Sequence, residues 1–138
     1  MFETFEHKAD IGVRGKGKSV SEAFSECAKA MFSVIANIGA FEGKEADELK
    51  MEAENLEELL VKFLSELLYL QDTKKKIYNK FNLYITEDGG EWKLKGKAFG
   101  EKIEAKHCLK GEVKAATWHQ LKVEEEGGQW LAQCVVDV

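Results

Sequence analysis

The apolar residues of the first third of the chain recur at helical spacing. Ser19 and Glu22 stand three residues apart, as in an N-terminal capping box, and the apolar stripe that follows begins at Val20 and reaches Ile35. The stripe ends before Asn37 and the glycine that follows it. The pattern predicts an amphipathic helix that begins at Ser19 and ends near Asn37.

A second apolar stripe lies in the middle of the chain. Asn55 and Glu58 repeat the capping spacing, and Phe63 and six leucines form a broad apolar face between residues 56 and 68. Three lysines at 74–76 suit the negative end of a helix dipole, and we interpret them as a solvated helix end. The leucines are expected to lie in the core of the domain.

Strict alternation of apolar and polar residues predicts strands in the rest of the chain. Residues 49–53 and 81–85 alternate in this way, and Gly89-Gly90 then turns the chain into a strand that carries Trp92. A last hairpin is predicted from residue 113 through 123, with a turn at 127–128 and a return to 136. The mixture of elements predicts an α+β fold in which two amphipathic helices pack on a largely antiparallel β-sheet.

Composition limits the class of protein. The 138 residues suit one domain, 1–138, and the chain contains no proline and no linker-like tract. A net charge of −5 argues against strong direct binding to nucleic acid. No signal-peptide pattern and no apolar run of about 20 residues is present. Three dispersed cysteines favour neither a disulfide framework nor a zinc ribbon. We expect a soluble cytoplasmic protein.

One short string fits a phosphate-binding consensus. Residues 12–19 match G-x-x-x-x-G-K-[ST] and lead into the first predicted helix. In a nucleotide-hydrolysing enzyme Lys18 would contact the terminal phosphate and Ser19 would contact Mg²⁺. Asp137, at the end of an apolar run, would be the acidic residue of a Walker-B-like strand. The residues before Gly12 are mostly polar, whereas a P-loop follows a buried strand. A simpler interpretation makes residues 13–17 a strand and Ser19 a helix cap.

Acidic groups occur at both ends of the chain. Asp10 precedes Gly12 in an expected tight loop, and Asp137 stands beside Val138, whose carboxylate ends the sequence. Hard oxygen ligands of this kind suit Ca²⁺ or Mg²⁺ and not zinc. Spacing alone leaves two interpretations open: the groups meet at a metal ion, or Asp10 bonds its own turn and Asp137 is an exposed chain end.

Three blocks of the sequence resemble the archease family. His-Lys-Ala-Asp-Ile-Gly at 7–12 is similar to the family's N-terminal signature, and Lys-Ala-Ala-Thr-Trp-His at 114–119 is similar to its Lys-Ala-x-Thr-aromatic-His segment. The ending Val-Val-Asp-Val at 135–138 is similar to its apolar-Asp-aliphatic terminus. The blocks span almost the whole chain. One departure is Trp118, where tyrosine is the commoner residue.

The resemblance implies a role and a set of ligands. Archeases are compact α+β proteins that activate a GTP-dependent tRNA-splicing RNA ligase, promoting its guanylylation and multiple turnover, and they are not themselves enzymes. They bind a divalent ion, usually taken as Ca²⁺, with Mg²⁺ and Mn²⁺ as alternatives; the ligands carried over are Asp10, Asp137 and Val138.

The resemblance also singles out three residues whose function stays open. His7, Lys114 and His119 occupy motif positions, and they either contact the ligase and the metal surroundings or satisfy nearby main-chain groups. A tRNA methyltransferase is a further expected partner. The competing functions are a P-loop enzyme and a chaperone-like binding module for RNA-modifying enzymes.

Overall fold

The computed structural model describes all 138 residues. Two helices and one short 3₁₀ turn are combined with eight strands. The helices are α1 (Val20–Ile35) and α2 (Leu56–Lys74), and the 3₁₀ turn is Ile38–Ala40. The strands are β1 (Phe2–His7), β2 (Asp10–Gly17), β3 (Glu45–Ala53), β4 (Lys76–Asp88), β5 (Glu91–Lys102), β6 (Ala115–Ala116), β7 (Lys122–Glu126) and β8 (Gln129–Asp137).

The strands form two antiparallel sheets and not one. The first sheet has the order β1-β2-β8-β6, and β7 also pairs with β8, on the edge that β6 shares. The second sheet has the order β3-β5-β4. The predicted α+β class is confirmed, and the single predicted sheet is replaced by two. Both helices contact strands of both sheets, and all of them share one hydrophobic core.

Helix α1 begins as the sequence predicts. The Ser19 hydroxyl accepts a 3.1 Å hydrogen bond from the main-chain amide of Glu22, and the helix ends at Ile35, two residues before Asn37. Its buried face packs on the first sheet, where Gly15 of β2 allows close approach: a Cβ at Gly15 would overlap main-chain atoms of α1. The core side of this sheet is therefore fixed by α1.

Helix α2 begins at the predicted cap and ends at Lys74, the first of the three lysines that were expected to close it. Asn55 accepts a 2.8 Å hydrogen bond from the amide of Glu58, and Lys75 terminates the helix in the left-handed conformation, with φ of 55°. Lys76 already belongs to β4 and is only 7% exposed. The interpretation of residues 74–76 as a solvated helix end is thus wrong for Lys76.

Lys76 is buried because it neutralises a buried carboxylate. Its ammonium group and the Tyr78 hydroxyl lie 3.0 Å and 2.7 Å from the same oxygen of Asp47, and Lys74 bonds the other oxygen. Burial by itself would raise the pKa of Asp47, but the hydrogen bonds from Lys74, Tyr78 and Lys76 outweigh it and lower the pKa to about 2. The cluster joins β3, β4 and the end of α2.

The predicted strand from residue 113 through 123 is wrong in its extent. Only Ala115–Ala116 pairs with β8, and the chain then leaves the sheet until β7 begins at Lys122. The predicted turn at 127–128 and the return strand are confirmed, since both glycines have positive φ. The first strand, β1, has no counterpart among the predicted elements.

The length and the apolar character of a helix decide whether it can cross a membrane. Neither α1 nor α2 combines the length and the apolar character that crossing a membrane requires.

Candidate functional site

The N-terminal motif forms a tight hairpin. His7 is the last residue of β1 and pairs with Asp10, the first residue of β2, across a two-residue turn of Lys8 and Ala9. Lys8 adopts a positive φ of 55°, as a two-residue turn that matches the twist of its strands requires. Asp10 therefore begins a strand, and the expectation that it lies in the loop is wrong by one residue.

The ladder between β2 and β8 brings the two aspartates together. Its last pair is Ile11 with Val136, and Asp10 and Asp137 occupy the next position of the same register. Strand residues alternate in direction, so both carboxylates belong to the sheet face opposite α1, here called the outer face. Directly opposed residues have Cβ atoms about 5 Å apart, which lets two carboxylates reach one cation.

The main chain of Lys114 is tied to the same end of the sheet. Its amide donates a 2.7 Å hydrogen bond to the carbonyl of Asp137, and Ala115 pairs with Asp137. The side chain of Val138 packs against the core, whereas Lys114 lines a cavity of about 700 Å³ between α1, α2 and residues 109–115. Lys114 thus borders the aspartate pair through its backbone.

The segment 117–119 folds across β8 towards the hairpin. The amide and hydroxyl of Thr117 donate hydrogen bonds of 3.0 Å and 2.7 Å to the carbonyl of Val135, whose amide donates to the carbonyl of His119 at 3.0 Å. This path brings the His119 ring within 6.1 Å of the His7 ring, centroid to centroid. The structure therefore joins the two motif histidines, which are 112 residues apart in sequence.

The His7 side chain has an unusual environment. Its Nδ1 atom is buried and has no hydrogen-bond partner within the protein. A buried ring nitrogen without a partner is costly, and such groups in native proteins commonly serve a ligand or a partner molecule. His7 is thus the strongest candidate for a contact residue beside the aspartates.

An aromatic ring forms the floor next to this site. Phe5 lies over Gly12, its cross-strand partner, and a Cβ on Gly12 would overlap the ring. The guanidinium group of Arg14 lies over the Phe5 ring, 4.6 Å from the ring centroid. This packing buries Val135 completely, although Val135 belongs to the outer face. The aspartate pair therefore stands at the rim of a rigid, covered part of the sheet.

The charges at the site suit a cation. Neither Asp10 nor Asp137 has a Lys, Arg or His nitrogen within 4.0 Å, so the two negative charges are not neutralised by the protein. Adjacent like charges across two strands are destabilising. No group of three or more His, Cys, Asp or Glu side chains is placed to hold a metal ion. Of the three predicted ligands, only Asp10 and Asp137 have side chains of these types. The metal site therefore stays a prediction, with which the positions of the two aspartates agree.

The phosphate-binding string folds as a strand. Residues 12–17 lie inside β2 and pair with β8, and residues 12–15 also pair with β1, so this segment is part of the sheet and does not surround a phosphate. Gly15 serves helix packing, and a Cβ on Gly17 would contact the Glu22 side chain. Ser19 caps α1. The interpretation as a strand followed by a cap is confirmed.

Several residues of this region were not predicted from the sequence. Thr117 belongs to a matched motif but had no assigned role, and its hydroxyl proves to anchor the segment that carries His119. Nothing in the sequence indicates that Phe5 contacts Gly12, because this contact follows from the register of β1 against β2. Alternation of residues 2–7 was the only available hint.

Comparisons with known proteins follow the whole chain. The model of the Archease protein family (MTH1598/TM1083) matches residues 2–138. The protein archease of Pyrococcus furiosus is 45% identical over 140 aligned positions, covering 100% of this chain and 99% of the relative. That of Methanosarcina mazei is 40% identical, covering 99% and 95%.

Two solved structures agree with the fold. The solution structure of Methanobacterium thermoautotrophicum protein 1598 matches with a TM-score of 0.86 and 33% identity, covering 99% of this chain and 98% of that one. The crystal structure of a Thermotoga maritima archease, described as a possible chaperone, matches with a TM-score of 0.56 at 23% identity, covering 99% and 96%. The match of family model, sequence and fold over the full length shows that the chain belongs to the archease family.

Proposed function

We propose that this archease activates a GTP-dependent tRNA-splicing RNA ligase, promoting the guanylylation of the ligase and its multiple turnover. Asp10, Asp137 and Val138 would hold a divalent cation, with Ca²⁺ preferred and Mg²⁺ or Mn²⁺ as alternatives. The protein itself acts as an accessory factor and catalyses no step. The proposal rests on the family relationship and on the placement of the motif residues.

The observation that carries the proposal is the register of β2 against β8. Asp10 and Asp137, from opposite ends of the chain, come to neighbouring positions on the outer face, and neither has a cationic side chain as partner. When bound, a divalent cation would offset their repulsion and hold the two strand ends together. Val138 would supply a main-chain or carboxylate oxygen from the adjacent position.

Three further residues border this position and are proposed to contact the ligase. His7 has an unpaired ring nitrogen, His119 lies beside it, and Lys114 is bonded to Asp137 through its amide. Together they would offer one cationic and two titratable groups around a metal-bound rim. A partner with phosphate or carboxylate groups is the chemistry that such a rim accepts.

The test is the rate of label transfer from radioactive GTP to a purified RNA-splicing ligase. Wild-type protein should accelerate labelling of the ligase, and Asp10→Asn or Asp137→Asn should abolish the acceleration without loss of fold. Asp88→Asn is the matched control, since Asp88 is an exposed aspartate at the end of β4, in the second sheet. Normal stimulation by the Asp10 and Asp137 variants would refute the metal model.

A second function is favoured by one relative. The Thermotoga maritima protein is described as a possible chaperone, and a chaperone-like module would keep RNA-modifying enzymes such as a tRNA methyltransferase in solution. Light scattering of a heated methyltransferase, with and without this protein, separates the two functions. Suppressed aggregation together with unchanged ligase labelling would replace the activator role by the chaperone role.

A further inference from the structure

The outer face of the second sheet carries a row of lysines on its central strand. Lys93, Lys95 and Lys97 alternate with inward residues along β5 and are all exposed. Consecutive members of the row are about 7 Å apart along the strand. Lys50 on β3 and Lys80 on β4 extend the basic surface to both edges. We call these five lysines the lysine face.

The ammonium groups of the lysine face are largely free. Lys93 has one weak partner, Asp88, at 3.4 Å, and none of the other four has a carboxylate oxygen within 4.0 Å. Glu48 and Glu52, on the edge strand β3, share the face as the cross-strand partners of Lys97 and Lys93. The positive charge is therefore concentrated along the middle of the sheet, in a protein whose net charge is −5.

A shallow groove follows the same row. Two cavities of about 880 Å³ and 660 Å³ open on this face, and both are lined by Lys50, Tyr84 and Lys95. The first continues to Lys97 and the second to Lys93. The two cavities therefore adjoin at these three residues.

An exposed aromatic side chain stands inside the groove. Tyr84 is 64% exposed and pairs directly with Lys95 across the β4–β5 ladder. A large aromatic side chain left uncovered on a sheet face is available for stacking. Asn82, which neighbours Lys97 on the same ladder, adds an amide that both donates and accepts hydrogen bonds.

We propose that the lysine face binds the phosphodiester backbone of a single-stranded nucleic acid, with Tyr84 stacking on a base. Regularly spaced cations along a groove, with an aromatic platform beside them, are the combination that unstructured strands require. An acidic polypeptide would match the lysines but would gain little from Tyr84. This surface belongs to the second sheet, whereas the aspartate pair belongs to the first, so the inference is independent of the ligase proposal.

The test uses fluorescence anisotropy of a labelled oligouridylate of about 20 nucleotides. Binding should saturate below about 100 μM protein at low salt. With three phosphates contacted, the affinity should fall roughly 20-fold between 50 and 200 mM salt, since each phosphate contributes a slope of about −0.7. No saturable binding by the wild-type protein would overturn the proposal.

Variants then locate the surface. The triple substitution Lys93→Gln, Lys95→Gln and Lys97→Gln should abolish saturable binding, whereas Tyr84→Ala should weaken it roughly fivefold or more. A matched control replaces three exposed lysines on other parts of the surface with glutamine, namely Lys75, Lys110 and Lys122, and should bind nearly as the wild type does. Circular dichroism checks that each variant folds.

Two outcomes of the variant experiment would overturn the proposal. Equal loss of binding in the triple variant and in its control would mean that overall charge, and not the lysine face, attracts the strand. Tighter binding of polyglutamate than of oligouridylate, lost in the same triple variant, would assign the face to an acidic polypeptide.

Discussion

The ring of Phe5 covers the main chain of Gly12 on the outer face of the first sheet, where the two residues are cross-strand partners. Gly12 lies two residues from Asp10 on the same face of β2. The packing of an aromatic ring on a glycine thus fixes the strand that presents one of the proposed metal ligands, and it explains why a side chain is absent at that position.

Gly12→Ala should destabilise the protein by about 1–3 kcal/mol, because the added methyl group must displace the Phe5 ring. Urea denaturation of the single variants and of the double variant with Phe5→Ala would measure the coupling. We expect the double variant to be more stable than additivity predicts, since the clash is then gone. Strictly additive costs would show that Gly12 is required for another reason.

Ca²⁺ should stabilise the folded protein against heat if Asp10 and Asp137 bind it. At 100-fold excess over the dissociation constant, ligation contributes about 2.7 kcal/mol, which is roughly 10 °C in the unfolding temperature of a domain of this size. Calorimetry with Ca²⁺ and with a chelator measures this difference. Asp10→Asn should remove the response, and the control Asp88→Asn should keep it.

Asp47 should make the protein sensitive to acid. Its pKa in the folded state is lowered to about 2, compared with about 3.9 in an unfolded chain. The lowered pKa contributes about 2 kcal/mol of stability, present above pH 4 and lost as the pH falls from about 4 to about 2. Urea midpoints across this pH range should show the loss in the wild type.

Asp47→Asn supplies the control for that measurement. The variant should be less stable at neutral pH, since Lys76 would stay buried without its closest charged partner. Its stability should depend less on pH between about 4 and 2 than that of the wild type. An unchanged pH dependence would assign the acid response to other carboxylates.

The three cysteines should differ in reactivity. Burial raises the pKa of the Cys27 thiol well above its usual range and that of Cys134 to about 12, whereas Cys108 is exposed. Because the thiolate is the reactive form, a thiol reagent should modify only Cys108 in the folded protein and all three after unfolding. Mass spectrometry of the labelled peptides would show it. Rapid labelling of Cys27 in the native state would contradict the packing of α1.

Thr117→Val should loosen the segment that carries His119. The substitution removes the hydroxyl bonds to the Val135 carbonyl and the His119 amide, at a cost of about 1 kcal/mol. Stimulation of the ligase should fall more than stability does, because His119 is proposed to contact the partner. Thr86→Val, at an exposed threonine of β4 with no side-chain bond, is the matched control. Equal stimulation by both variants would remove His119 from the proposed contact.

Local patterns in the sequence determined the helices and most strands. The caps at Ser19 and Asn55 involve residues three apart, and the alternation of β3, β4 and β5 repeats every second residue. Signals of this range lie within the chain that forms the element, and pattern analysis therefore located them. The start of β2 at Asp10 and the extent of the strand predicted over residues 113–123 were less accurate, because pairing partners and not local sequence end those strands.

Long-range pairing decided what local patterns left open. The sequence by itself placed His7, Asp10 and Asp137 in motifs at opposite ends of the chain, but only the β2–β8 register set the two aspartates side by side. The same holds for Lys76, whose burial depends on Asp47 of a different strand. Strand register and side-chain burial depend on contacts between segments that are distant in sequence. No single stretch of the sequence therefore determines them.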